Sequence, residues 1–106
     1  MGVKSSIIIF NQLADRTKLI FKDKSRRYGN SWWDDEESFR IISPYIYLRS
    51  KARRLHELLW RNRYADKAAC VETLMDTAVY SLITAALIED TMNQKDFDKL
   101  ERLLIA

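Results

Sequence analysis

The segment from Ala68 to Ile88 is apolar or small at nearly every position, and its only Asp or Glu residues are Glu72 and Asp76. A helix apolar nearly all round belongs at the centre of a bundle or inside an oligomer. Asp66 stands where an N-cap is needed, so the helix is expected over about Lys67 to Asp90. The chain has two glycines and one proline in 106 residues, which argues against a strand-and-turn design. These features predict an all-α fold, a compact bundle of four to five helices in a single domain spanning residues 1–106, with oligomerisation expected.

The other helices follow from periodicity. Ile9, Phe10, Leu13, Thr17, Ile20 and Phe21 recur at helical spacing within about Ser5 to Arg26, and Lys24 continues the stripe one turn beyond Ile20. Gly29 suits the end of that helix. Asp34 or Asp35 can cap a short second helix that Pro44 ends, and Pro44 can open the next. The third helix is expected from about Pro44 to Arg63, with Tyr47, Leu48, Leu55, Leu58 and Leu59 as its core stripe. Lys51 points into the middle of that stripe and Arg54 lies at its edge. A last helix, about Lys95 to Leu104, gathers Phe97, Leu100, Leu103 and Leu104 on one side.

Composition limits the function classes. A formal net charge of +3 permits anionic small molecules, while no helix face is uniformly basic, which argues against nucleic acid. The lone Cys70 excludes an internal disulfide and, inside an apolar run, reads as a buried structural thiol in a reducing, cytoplasmic setting. No apolar run of about 18 residues is read, so no membrane span and no membrane partner are expected.

Glu72 and Asp76 are four residues apart, on one helical face that Val79, Tyr80 and Ile83 continue. A carboxylate in apolar surroundings must be paired, protonated or metal-bound. Lys24 and Lys51 are the cations that fall on apolar stripes, with Arg54 beside them, so two helices are expected to bring cations to the acids of a third. The outcome is either a ligand or metal site, or a buried ion-pair network that fixes helix register. Glu36 and Glu37 could add oxygen ligands for Mg²⁺, or simply favour a helix N-terminus.

Tyr28, Trp32 and Trp33 flank a polar loop just after Arg26 and Arg27, a pattern suited to base stacking with phosphate held by cations. One tryptophan is expected to face the site and the other to close the core. Arg49, Arg53, His56 and Trp60 form a second stripe, read as an interface or solvated face. His56 lacks the partners that catalysis or metal ligation would need.

Three blocks resemble the nucleotide modification associated domain 1 family. They are Lys24-Ser-Arg-Arg-Tyr28-Gly29-Asn-Ser-Trp32, Leu48-Arg-Ser-Lys51-Ala-Arg-Arg54-Leu55 and Glu72-Thr-Leu-Met-Asp76-Thr-Ala-Val-Tyr80. The family-like core covers about residues 21–88. The resemblance implies an all-helical protein of phages or bacteria, linked to modified nucleotides. The family is distantly similar to all-helical nucleoside triphosphate pyrophosphatases of the MazG type, which hold magnesium with a Glu-x-x-Glu and a Glu-x-x-Asp pair. This sequence departs from that pattern, because three residues separate Glu72 from Asp76 and Asp34 to Glu37 give no clean first pair.

The resulting expectation is a homo-oligomeric binder of a nucleotide or nucleotide-derived signal, with no cofactor and no catalytic residue. It would serve nucleotide modification or sequester a host immune signal. Lys24, Arg27, Lys51 and Arg54 would meet phosphate. Tyr28, Trp32 or Trp33 would stack on the base, Glu72 and Asp76 would orient cations or bind ribose hydroxyls, and Tyr80 completes the set. The alternative is an Mg²⁺-dependent nucleoside triphosphate pyrophosphohydrolase.

Overall fold

The computed structural model describes residues 3–28 and 40–105. Gly29, Trp32, Trp33 and most of the expected short helix after Asp34 lie outside the described residues, as do the side chains of Arg27 and Tyr28. The described residues form four α-helices and no strand: α1 (Val3–Tyr28), α2 (Ile42–Leu55), α3 (Lys67–Glu89) and α4 (Gln94–Ile105). The all-α bundle expected from sequence is what forms.

Helix α3 is the central element and packs against both α1 and α2. Its start is set by Asp66, whose carboxylate accepts from the Ala69 backbone N–H at 3.1 Å. Its buried side is Cys70, Thr73, Val79, Tyr80, Ile83 and Leu87. Val79, Tyr80, Ile83 and Leu87 form the core cluster, with Ile20 of α1 and Leu48 of α2 packed on it. Cys70 is a buried free thiol directed at the Leu58 carbonyl, as its apolar setting predicts.

Antiparallel register between α2 and α3 is fixed by a ladder of side-chain pairs. Arg54 meets Thr73, Lys51 meets Asp76, and Tyr47 meets Tyr80. Each step back along α2 is matched by an equal step forward along α3, as straight antiparallel helices require.

Two features differ from the sequence expectation. The helix expected to reach Arg63 leaves α geometry at His56 and continues as a wide π-helical segment, His56–Arg61. It closes through Arg63 and Tyr64, both with positive φ (50° and 48°), while the Tyr64 N–H donates to the Leu58 carbonyl. Left-handed backbone usually calls for glycine. Here it is borne by two large residues, each covered by a cation–π contact: Arg63 over Trp60 and Lys67 over Tyr64.

The second difference concerns α3, which is less enclosed than its composition suggests. Val71, Leu74, Leu82 and Ile88 are exposed. By length and composition the helix could cross a membrane, although it lacks an uninterrupted apolar run, and a third of its most apolar stretch is buried within this chain (33%).

Candidate functional site

The site stands where α1, α2 and α3 meet, and Asp76 is its centre. Lys51 Nζ lies 3.0 Å from Asp76 Oδ2, and Lys24 Nζ lies 3.8 Å from Oδ1. The three side chains are 13 to 23% exposed, so the cluster is mostly but not wholly withdrawn from water. Periodicity places Lys24 on the α1 stripe and Lys51 on the α2 stripe, and both stripes turn toward α3. The convergence of Lys24, Lys51 and Asp76 expected from sequence is therefore realised.

Tyr80, one turn along α3 from Asp76, extends the site. Its hydroxyl accepts from Lys24 Nζ at 3.3 Å, and the same ammonium stands 5.0 Å from the ring centroid. Tyr47 lies parallel to the Tyr80 ring, with centroids 4.8 Å apart and planes 9° from parallel. Tyr80 is buried while Tyr47 is exposed, so the stack carries aromatic surface from the core to solvent. The partnership of Tyr47 was missed from sequence, where it read as an ordinary core residue. The signal was available in its spacing, since Tyr47 sits one turn before Lys51 as Tyr80 sits one turn after Asp76.

Arg54 belongs to the next rung. Its Nε donates to the fully buried Thr73 hydroxyl at 3.1 Å, so the guanidinium is directed at a neutral acceptor and not at Asp76. Among the described residues, no buried side-chain nitrogen or oxygen lacks a hydrogen-bond partner.

Glu72 does not join the cluster. It is exposed and has no ion pair among the described residues. One helical turn toward the N-terminus carries it past the level of both lysines, and a four-residue step also rotates it by about 40° from Asp76. The two acids share a face, as expected, but only Asp76 lies beneath the cations.

Among the described residues, no cluster of three acidic, histidine or cysteine side chains could hold a metal ion. Asp34 to Glu37, on which the Mg²⁺ reading depends, lie outside them. His56, Arg49, Arg53 and Trp60 are exposed on the far side of α2 and its π-helical extension, away from Asp76.

Comparison with protein-family models, with curated proteins and with solved structures finds no match to this chain.

The arrangement can do one chemical thing well. Two ammonium groups converge on one carboxylate in a partly water-excluded setting. A lysine so placed can serve a phosphate as a point charge. A nucleophile with an adjacent base is not among the groups assembled here.

Proposed function

We propose that this chain binds a nucleotide or nucleotide-derived signal through its phosphate, held by Lys24 and Lys51 against Asp76. The observation that carries this reading is the convergence of two lysines from separate helices, each less than a quarter exposed, beside an exposed aromatic ring. Lys24 is the more distant of the two cations, 3.8 Å from Asp76 against 3.0 Å for Lys51.

The Tyr47–Tyr80 stack lends further support, because it places an exposed aromatic ring next to the cations, where a base can lie. Tyr28 with Trp32 or Trp33 would stack on the base, as their place in a polar loop just after Arg26 and Arg27 suggests. Arg27, Arg54 and Glu72 would contact the outer parts of the ligand. Sequestration of a host immune nucleotide, and service to nucleotide modification, are both forms of this activity.

Isothermal titration with nucleoside mono-, di- and triphosphates, cyclic nucleotides and ADP-ribose derivatives tests the proposal. Binding that is lost in Lys24→Met and Lys51→Met supports it. No binding across the panel overturns it and leaves the cluster as a device for helix register. Pyrophosphate release that requires Mg²⁺ would instead establish the pyrophosphohydrolase.

A further inference from the structure

On the flank of α3 turned away from Asp76, an open groove of about 870 Å³ runs between α1 and α3. Phe10 and Phe21 of α1 line it, opposite Leu74 and Leu82 of α3, with Lys18 and Lys22 also at the groove. Phe10 is 70% exposed and Leu82 is 64% exposed, so the lining is bare apolar surface. Lys18 and Lys22 are one turn apart and have no ion pair among the described residues.

The same chain carries a second bare apolar element. Helix α4 presents Leu103, Leu104 and Ile105 at 65%, 77% and 77% exposure. Glu101 borders that stripe, three residues before Leu104, and has no ion-pair partner among the described residues.

We propose that the occupant of the groove is α4 of a second copy of this chain, the two copies exchanging α4 reciprocally about a two-fold axis. Four observations favour this occupant. First, exposure: the groove lining and the end of α4 are both bare in the same chain, with Phe10 at 70%, Leu82 at 64% and Leu104 at 77% exposure, so each offers what the other lacks.

Second, shape: a concave groove accepts a convex helix, whereas two grooves facing each other would leave a void. The groove follows α3 from Val71 to Ala86, about 22 Å of helix, and the 12 residues of α4 span about 18 Å. Third, charge: Glu101 beside the stripe complements Lys18 and Lys22 at the groove. Fourth, tethering: the connection to α4 is short and internally bonded. Thr91 Oγ1 donates to the Ile88 carbonyl, and Asn93 and Asp96 cap each other's backbone N–H groups. Within its own chain α4 leaves both its apolar residues and the groove bare. A reciprocal exchange satisfies both copies at once and closes the assembly.

This inference stands apart from the anion site, because it uses the other flank of α3. The test is sedimentation of the full chain from about 1 to 100 µM, where mass action exposes a dimer. The wild type is expected to sediment as a dimer, and Leu103→Glu with Leu104→Glu as a monomer with unchanged helical circular dichroism. Glu101→Lys should weaken the dimer about tenfold, and adding Lys18→Glu with Lys22→Glu should restore it. This charge exchange keeps the test decisive should the double leucine variant misfold. Zero-length cross-links from Lys18 or Lys22 to Glu101 should join isotopically labelled chains to unlabelled ones. A wild type that stays monomeric throughout, including one that binds lipid vesicles as a monomer, overturns the proposal. So does a dimer indifferent to the leucine and Glu101 substitutions, or a cross-link found only within one chain.

Discussion

Lys51 Nζ and Asp76 Oδ2 lie 3.0 Å apart, and Lys24 approaches the other carboxylate oxygen of the same aspartate from α1. Asp76 thus ties two helices to α3 through one carboxylate. Its removal affects both, whereas loss of either lysine leaves the other pair in place.

Asp76→Asn is therefore expected to cost more stability than Lys51→Met. The aspartate variant removes the carboxylate shared by Lys24 and Lys51, at about 1–3 kcal/mol after allowing for their partial exposure. Lys51→Met keeps the Lys24 pair and adds apolar contact, so its cost should fall below about 1 kcal/mol. Urea unfolding at neutral pH measures both, and the reverse order would show that Asp76 does not anchor the junction.

Leu87 and Leu82 provide a contrast within one helix. Leu87 is 1% exposed in the core cluster, so Leu87→Ala should cost about 2–5 kcal/mol at any protein concentration. Leu82 lines the groove, so the effect of Leu82→Ala should depend on concentration if a second copy covers it. Thermal unfolding at two concentrations separates the cases. Equal, concentration-independent losses for both would mean that Leu82 is covered within its own chain.

Arg63 and Tyr64 hold left-handed backbone without glycine. Arg63→Gly relieves about 1 kcal/mol of backbone strain and gives up an exposed contact with Trp60 worth about 0.5–1 kcal/mol. Combined with Trp60→Ala as the reference background, Arg63→Gly should raise the melting temperature by several degrees, roughly 4–8 °C per kcal/mol. A decrease in that background would place the strain elsewhere.

Asp66→Ala removes the acceptor for the Ala69 N–H at the start of α3. The expected loss is about 1 kcal/mol, and Asp66→Asn or Asp66→Ser should recover most of it. Hydrogen exchange in the first turn of α3 should rise in the alanine variant and return to the wild-type rate in the serine one. Unchanged exchange in the alanine variant would mean the cap contributes nothing.

Local rules were enough for much of this protein. The apolar run with Asp66 before it set α3, and stripes at helical spacing set α1, α2 and α4, because burial periodicity and capping are properties of neighbouring residues. The same periodicity placed Lys24, Lys51 and Asp76 on inward faces, so their meeting was legible before any coordinates. Only the tertiary structure separated Asp76 from Glu72: the two share a face, and the axial level of α1 and α2 decides which one lies under the lysines. It alone disclosed the Tyr47–Tyr80 stack, the π-helical widening at His56–Arg61 and the two left-handed residues that close it. It also showed that α3 is covered on one flank only. An all-round apolar helix states that it must be enclosed, but its own residues do not say by which elements. Here α1 and α2 cover one flank and leave the other bare, because interhelical register is set by contacts between segments far apart in the chain.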